Sequence, residues 1–188
     1  MRFSQIFNRS EAREAARTLY QQIVAQARQP AFYAGCGVPD TVDGRFDMIA
    51  LHVYLLLHRF RDDHNRAGET AQRLFDTMFE DMDRGLREMG AGDLGVGRRV
   101  KAMARAFYGR IAAYDAALAQ GEAAPADGEA ALAGALRRNL YRDCDPGAAE
   151  VAALAFYVRR ETAALADRPL DELLDGRVEF GPAPDPAP

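Results

Sequence analysis

No stretch of this 188-residue chain is apolar for long enough to span a bilayer. The longest apolar run, "MIALHVYLLL" at residues 48–57, is about half of the roughly 20 residues a spanning helix takes, and it is interrupted by His52. The opening residues, "MRFSQIFNRSEAREAARTLY", lack the apolar core of a secretory signal. Only two cysteines occur, Cys36 and Cys144, far apart and in no CxxC pattern. They could form one bridge, but nothing in the sequence points to an oxidising compartment. The expectation is a cytoplasmic protein without its own membrane anchor, with peripheral contact at the inner membrane left open. A basic excess is also missing. The formal net charge is −4, which argues against nucleic acid as the main partner, because phosphate neutralisation needs a basic surface.

β-Branched residues are sparse, while alanine, leucine and arginine fill almost every segment, and this composition favours helix. Residues 178–180 form the one weak strand candidate. The reading is all-α: a single-domain bundle of about six to seven helices. Ser10 reads as an N-cap, with Glu11 and Glu14 complementing the dipole, so a first helix is expected to run to about Gln29, before Pro30. "PAFYAGCGVPDTVDG" reads as a short turn of helix and a loop. Residues 43–65 form the second long helix, with Phe46, Ile49, Val53, Leu56, Leu57 and Phe60 on one face and Leu51 and Leu55 widening it; this helix is expected to be central.

A third helix covers 67–89, with a stripe that includes Leu74, Phe75, Met78, Phe79 and Met82. A fourth covers 95–119, where Val96, Val100, Met103, Phe107, Ile111 and Tyr114 repeat at spacings of three and four. Further helices are expected over 128–141 and from an Asp145–Pro146 cap to about Asp167, with one more turn at 169–174. The chain divides into an N-terminal helix (1–29), a helical domain (30–175) and a proline-rich tail (176–188) too rich in breakers to pack.

Motifs for catalysis are missing as well. His52, His58 and His64 are six apart, and each step of six rotates roughly 240° around a helix, so the three diverge, whereas a zinc pair on one helix wants a spacing of three or four. His52 reads as a satisfied buried residue, and His58 is expected to pair with Asp62 one turn on. "FRDDHN" has no partner motif that would make it a metal centre. Asp76, Glu80 and Asp83 form an acidic edge, with Glu80–Arg84 as an ion pair in the favourable order. No serine or cysteine sits in a nucleophile motif. The glycines of "GAGDLGVG" lack the lysine and Ser/Thr that end a phosphate loop. No enzyme, metal or cofactor is called for.

That glycine joint remains unusual. "LREMGAGDLGVGRRVKAMARAFYGR" (86–110) joins the third and fourth helices, and Gly85 and Gly109 sit inside predicted helices at about 1 kcal/mol each relative to alanine. Such glycines usually mark close backbone approach, so the two helices are expected to cross tightly there. Arg98, Lys101 and Arg105 share the polar face of the fourth helix, a pattern that suits an acidic partner or a headgroup surface and equally a solvated face.

"FEDMDRGLREMGAGDLGVGRRVKAMARAFYGR" (79–110) resembles the ubiquinol–cytochrome c chaperone family. The shared features are an acid-rich helix end, "LREMG" then "GDL", a basic pair and a closing "AFYGR". Upstream, "VPDT", "GRF" and a long apolar helix are similar too, as is "LRRNLYR" (136–142) followed by an alanine-rich helix; coverage is roughly 30–166. The resemblance implies a non-enzymatic, all-helical assembly chaperone of a bacterial type. Its client would be cytochrome b, bound during assembly of the ubiquinol–cytochrome c reductase complex, and a second small assembly factor would act with it. The expected partner-binding rim comprises Asp83, Arg87, Met89, Asp93, Arg99, Lys101 and Arg105, beside an apolar groove that Met78, Met82, Met89 and Met103 could line. The competing reading is a helical protein that binds haem, quinone or lipid along its broad apolar helix.

Overall fold

The computed structural model describes the backbone of residues 2–90, 93–142 and 144–184, and the side chains of these except 2–8, 93, 94 and 122. The described chain is all-α. Eight helices follow one another: α1 (Arg2–Ala27), α2 (Pro30–Ala34), α3 (Val42–Arg61), α4 (His64–Glu88), α5 (Asp93–Ala123), α6 (Pro125–Leu136), α7 (Ala148–Asp167) and α8 (Leu170–Leu174), with a π-helical turn (Arg137–Tyr141) continuing α6. The 178–180 segment is extended but pairs in no sheet, and no strand occurs among the described residues.

Helix α3 is the central element, as its apolar pattern predicts. Thr41 caps it by accepting the Gly44 N–H (3.1 Å), Asp43 lies in its first turn, and His58, Arg59 and Arg61 lie in its last, matching the dipole at both ends. Phe46, Met48, Ile49, Leu51, Val53, Leu55, Leu56 and Phe60 are all buried. Around it pack α1, α4, α5, α7 and the π-helical turn. Each buried leucine or phenylalanine here contributes on the order of 2 kcal/mol, so this one helix supplies much of the hydrophobic driving force.

Several boundaries differ from the sequence expectation. The first helix does not begin at Ser10 but runs back to Arg2, so the serine lies within it. The second long helix does not continue to residue 65: it ends at Arg61, and α4 starts at His64. No glycine or proline marks that corner. Arg59 makes it instead, binding Asp63 (2.6 Å) and donating to the carbonyls of Leu165 (2.9 Å) and Arg168 (3.3 Å), which ties the corner to the C-terminal end of α7. Helix α7 opens at Ala148, two residues beyond the expected proline, where the Glu150 carboxylate accepts the Gly147 N–H (2.6 Å).

The expected tight crossing at Gly85 and Gly109 does not occur. A Cβ on either glycine, or on Gly95 or Gly97, would have no neighbour within 4 Å. Nothing in the packing explains these four glycines. Close approach occurs elsewhere: a Cβ on Gly128 would lie 2.1 Å from the Cα of Gly121, which is how α6 folds back against α5.

The tail departs from expectation up to Pro184. Helix α8 ends in a Schellman motif, with Gly176 at φ +80 and the N–H groups of Gly176 and Arg177 donating to Leu173 and Glu172. Two glutamines one turn apart on α1 then hold the extended chain. Gln22 binds both the Gly176 carbonyl (2.7 Å) and the Val178 N–H (2.9 Å), and Gln26 donates to the Gly181 carbonyl (2.9 Å). Side-chain amides thereby take the place of a neighbouring strand, and Val178 is buried. The remainder of the expected loose tail, 185–188, lies outside the described residues.

Candidate functional site

Two buried polar groups on α3 organise the interior. His52 is fully buried. Its Nδ1 lies 2.8 Å from the Met48 carbonyl, so that nitrogen carries the proton, and Nε2 accepts from the Tyr157 hydroxyl (2.8 Å). Tyr157 in turn accepts from Gln26 (3.0 Å), and Phe32 and Phe180 present their edges or faces around the imidazole at 5.5 and 5.1 Å. Burial holds the His52 pKa down to about 4, so it is neutral. This is a structural histidine, as its sequence setting suggests. His58 does not pair with Asp62: its Nδ1 meets Asp115 on α5 (2.8 Å), which also accepts from Tyr54 (2.9 Å) and faces Arg61 (3.1 Å). Among the described residues no ion pair joins Glu80 to Arg84, and no group of His, Cys, Asp and Glu could hold a metal ion.

Asp47 is buried one and a half turns before His52. Its Oδ1 lies 2.6 Å from Arg110 Nη2 of α5. Arg142, just beyond the π-helical turn, donates to Oδ1 (2.9 Å) and sits 2.7 Å from Oδ2, close enough to share its charge with both oxygens. Burial pushes the Asp47 pKa up to about 6, against the pull of Arg110 and Arg142, which leaves it predominantly ionised at neutral pH. The Arg110 guanidinium lies over the Phe46 ring (5.6 Å). Arg110 is 6% exposed, and its Nη1 has no hydrogen-bond partner. Arg142 adopts φ +49, a strained conformation for a non-glycine residue.

This cluster forms the floor of a groove of about 1050 Å³ between the start of α3, the end of α4 and the first half of α5. Phe46, Ile49, Met82, Leu86, Met89 and Met103 supply its apolar walls, and Arg28, Arg45, Arg84 and Arg99 stand along its rim. Two of the four large hydrophobic residues exposed among the described residues, Val42 and Met89, flank it. A second depression, between α1 and α8, is lined by Glu11, Glu14, Glu69 and Asp171 with little apolar surface, as ordinary solvated helix faces are.

The groove brings together only part of the rim read from sequence. Met89 and Arg99 line it, with Met82 and Met103. Asp83 and Arg87 bind each other one turn apart (2.6 Å), outside the lining, and Lys101 and Arg105 are exposed on α5 outside it. The side chain of Asp93 lies outside the described residues. Met78 is fully buried core rather than groove. Sequence reading missed Asp47, Arg110 and Arg142. A signal existed: Asp47 is an acid on the apolar face of a helix that reads as central, and a buried carboxylate needs a cationic partner. "AFYGR" and "LRRNLYR" each end in the arginine that supplies one.

No helix among the described residues is long and apolar enough to cross a membrane. The model of the family described as ubiquinol-cytochrome C chaperone matches residues 34–180. A ubiquinol-cytochrome-c reductase complex assembly factor 1 from Xenopus laevis is 29% identical over 180 residues, covering 94% of this chain and 85% of the relative. The protein of that name from Homo sapiens is 28% identical over 171 residues, with 89% of this chain covered; this chain spans about half of that longer relative (54%). Among solved structures, the crystal structure of the Cbp3 homolog from Brucella abortus superposes with a TM-score of 0.81 at 38% identity, covering 97% of this chain and 98% of that one. The chain belongs to the ubiquinol-cytochrome C chaperone family.

Proposed function

We propose that the protein is a non-enzymatic chaperone that binds cytochrome b while the ubiquinol–cytochrome c reductase complex is assembled. The observation that carries this reading is the open groove. It combines methionine walls, exposed apolar flanks and a cationic rim in a chain whose relatives are named as assembly factors of that complex. Apolar grooves with polar rims accept helical or extended protein segments, and methionine adapts to varied side chains. Met89 and Arg99 belong to the contact surface. Asp83, Arg87, Lys101 and Arg105 flank it as outer charges that steer encounter more than they hold the client. A second small assembly factor acts with the protein, whose contact with the membrane is peripheral.

The test is a deletion strain, read by haem b spectra of membranes and by blotting for cytochrome b. Loss of both, restored by wild type but not by Arg99→Glu, is the expected result. Normal cytochrome b and a normal reductase would overturn the reading and bring forward a helical protein that binds haem, quinone or lipid.

A further inference from the structure

The groove floor is cationic, and its buried polar atoms are not all satisfied. Two guanidiniums, Arg110 and Arg142, hold the buried carboxylate of Asp47, with Asp43 also 3.8 Å from Arg142, and Arg110 Nη1 and Asp47 Oδ2 are both buried without a hydrogen bond. A buried cation with an unmet N–H is unfavourable unless something completes it. The positive charge continues upward: Arg28, Arg84 and Arg99 are exposed on the rim, and none of their side chains has a hydrogen bond or ion pair among the described residues. Six arginines line the groove against four carboxylates, Asp43, Asp81 and Glu88 in the lining and Asp47 beneath Arg110 and Arg142, in a protein whose net charge is −4. The positive charge is therefore local to this groove.

Between floor and rim the surface is apolar, with Met82, Leu86, Met89 and Met103. A free inorganic anion would have no use for these walls. A planar membrane surface would meet the exposed rim arginines but not Arg110, which lies behind the walls and is nearly sealed from solvent. A protruding protein segment can satisfy both. We propose that the groove seats an apolar client segment that bears a carboxylate, with Arg142 and the Arg110 it flanks as the anchor for that carboxylate. The guanidinium fork matches a carboxylate in plane and spacing, and Asp47 holds both forks in place before the client arrives. This rests on the groove being the client site.

The test uses the full chain and two fluorescein-labelled helical peptides of leucine and alanine, one with a central glutamate and one with glutamine in its place. Fluorescence anisotropy should show the glutamate peptide binding at least about tenfold tighter, the range of a charge-assisted hydrogen bond. In Arg142→Gln that preference should vanish while the glutamine peptide binds as before; a misfolded variant would lose both peptides. Should Arg142→Gln not fold, Arg142→Lys keeps the charge without the fork and should show an intermediate preference. Equal binding of the two peptides by the wild type would overturn the proposal. So would binding of phosphatidylglycerol vesicles, over phosphatidylcholine vesicles, that Arg142→Gln abolishes in the absence of any peptide preference, because the occupant would then be a lipid headgroup. If the peptides fail but the deletion strain still loses cytochrome b, the chaperone reading stands and only the acid anchor falls.

Discussion

His52 and Asp47 are five residues apart on the same helix, both buried and both polar, and they solve the cost of burial in opposite ways. The His52 network is closed. Each ring nitrogen has one partner, the tautomer is fixed, and Gln26 and Tyr157 carry the chain of hydrogen bonds from α1 to α7. The Asp47 cluster is open. It leaves one donor, Arg110 Nη1, and one acceptor, Asp47 Oδ2, without a hydrogen bond, and its two arginines line the groove. A closed polar network specifies a fold. An open one in a groove is what a site for another molecule requires. The presence of a buried charge says little by itself; the unmet valence separates the two cases.

The sharpest way to break this contrast is to remove the shared acid. Asp47→Ala leaves two guanidiniums without their counter-charge, one of them buried. It should destabilise the protein by about 3–5 kcal/mol, read as a lower urea midpoint. Acid probes the other network. His52 has a folded-state pKa of about 4, below its ordinary 6.5, so the unfolded chain takes up a proton first. Its contribution is complete above about pH 6.5 and is lost as pH falls toward 4, by about 3 kcal/mol in all. Asp47 tilts the opposite way: with its pKa raised to about 6, its contribution falls as pH rises from about 4 to 6. Urea titrations of the wild type and His52→Gln should therefore diverge, with the variant losing less stability on acidification. A steeper loss in the variant would contradict the closed network.

A smaller effect is expected from Tyr157→Phe. It takes the proton from His52 Nε2 and the acceptor from Gln26, at about 1–3 kcal/mol, with the groove untouched and client binding preserved. The smallest effect on stability belongs to the rim. Arg99→Glu lies at an exposed position, so its thermal midpoint should match the wild type, within about 0.5 kcal/mol of stability, while cytochrome b still falls in the complementation assay. A matching loss of stability would place Arg99 among the structural residues and close the gap between the two regions.

The helical core was legible because period and burial coincide: the face of Phe46, Ile49, Val53 and Phe60 is the buried face of α3. The α3–α4 corner was not, because a long-range contact from Arg59 makes it and no local breaker does. The packed tail escaped for a similar reason: proline-rich composition suggested freedom, while two glutamines some 150 residues earlier supply the missing partners (Gln22 and Gly176 are 154 apart). At the candidate site, Met89 belongs to the apolar stripe read for its helix, whereas Arg99 entered only with the rim expected from the resemblance. Asp47 and Arg142 are 95 residues apart, and no periodicity links them. Gly85 and Gly109 misled, since an unusual residue in a helix need not be a contact.

The clasp between α1 and the 176–181 segment also bears on how the protein is made. Synthesis proceeds from the N-terminus, so α3, α4 and α5 leave the ribosome well before Gly176 does. The groove walls and Arg110 therefore emerge early, whereas the bonds from Gln22 and Gln26 to the 176–181 segment can form only after the far end has emerged. Those bonds join the two ends of the described chain, so they are among the last contacts that synthesis makes possible.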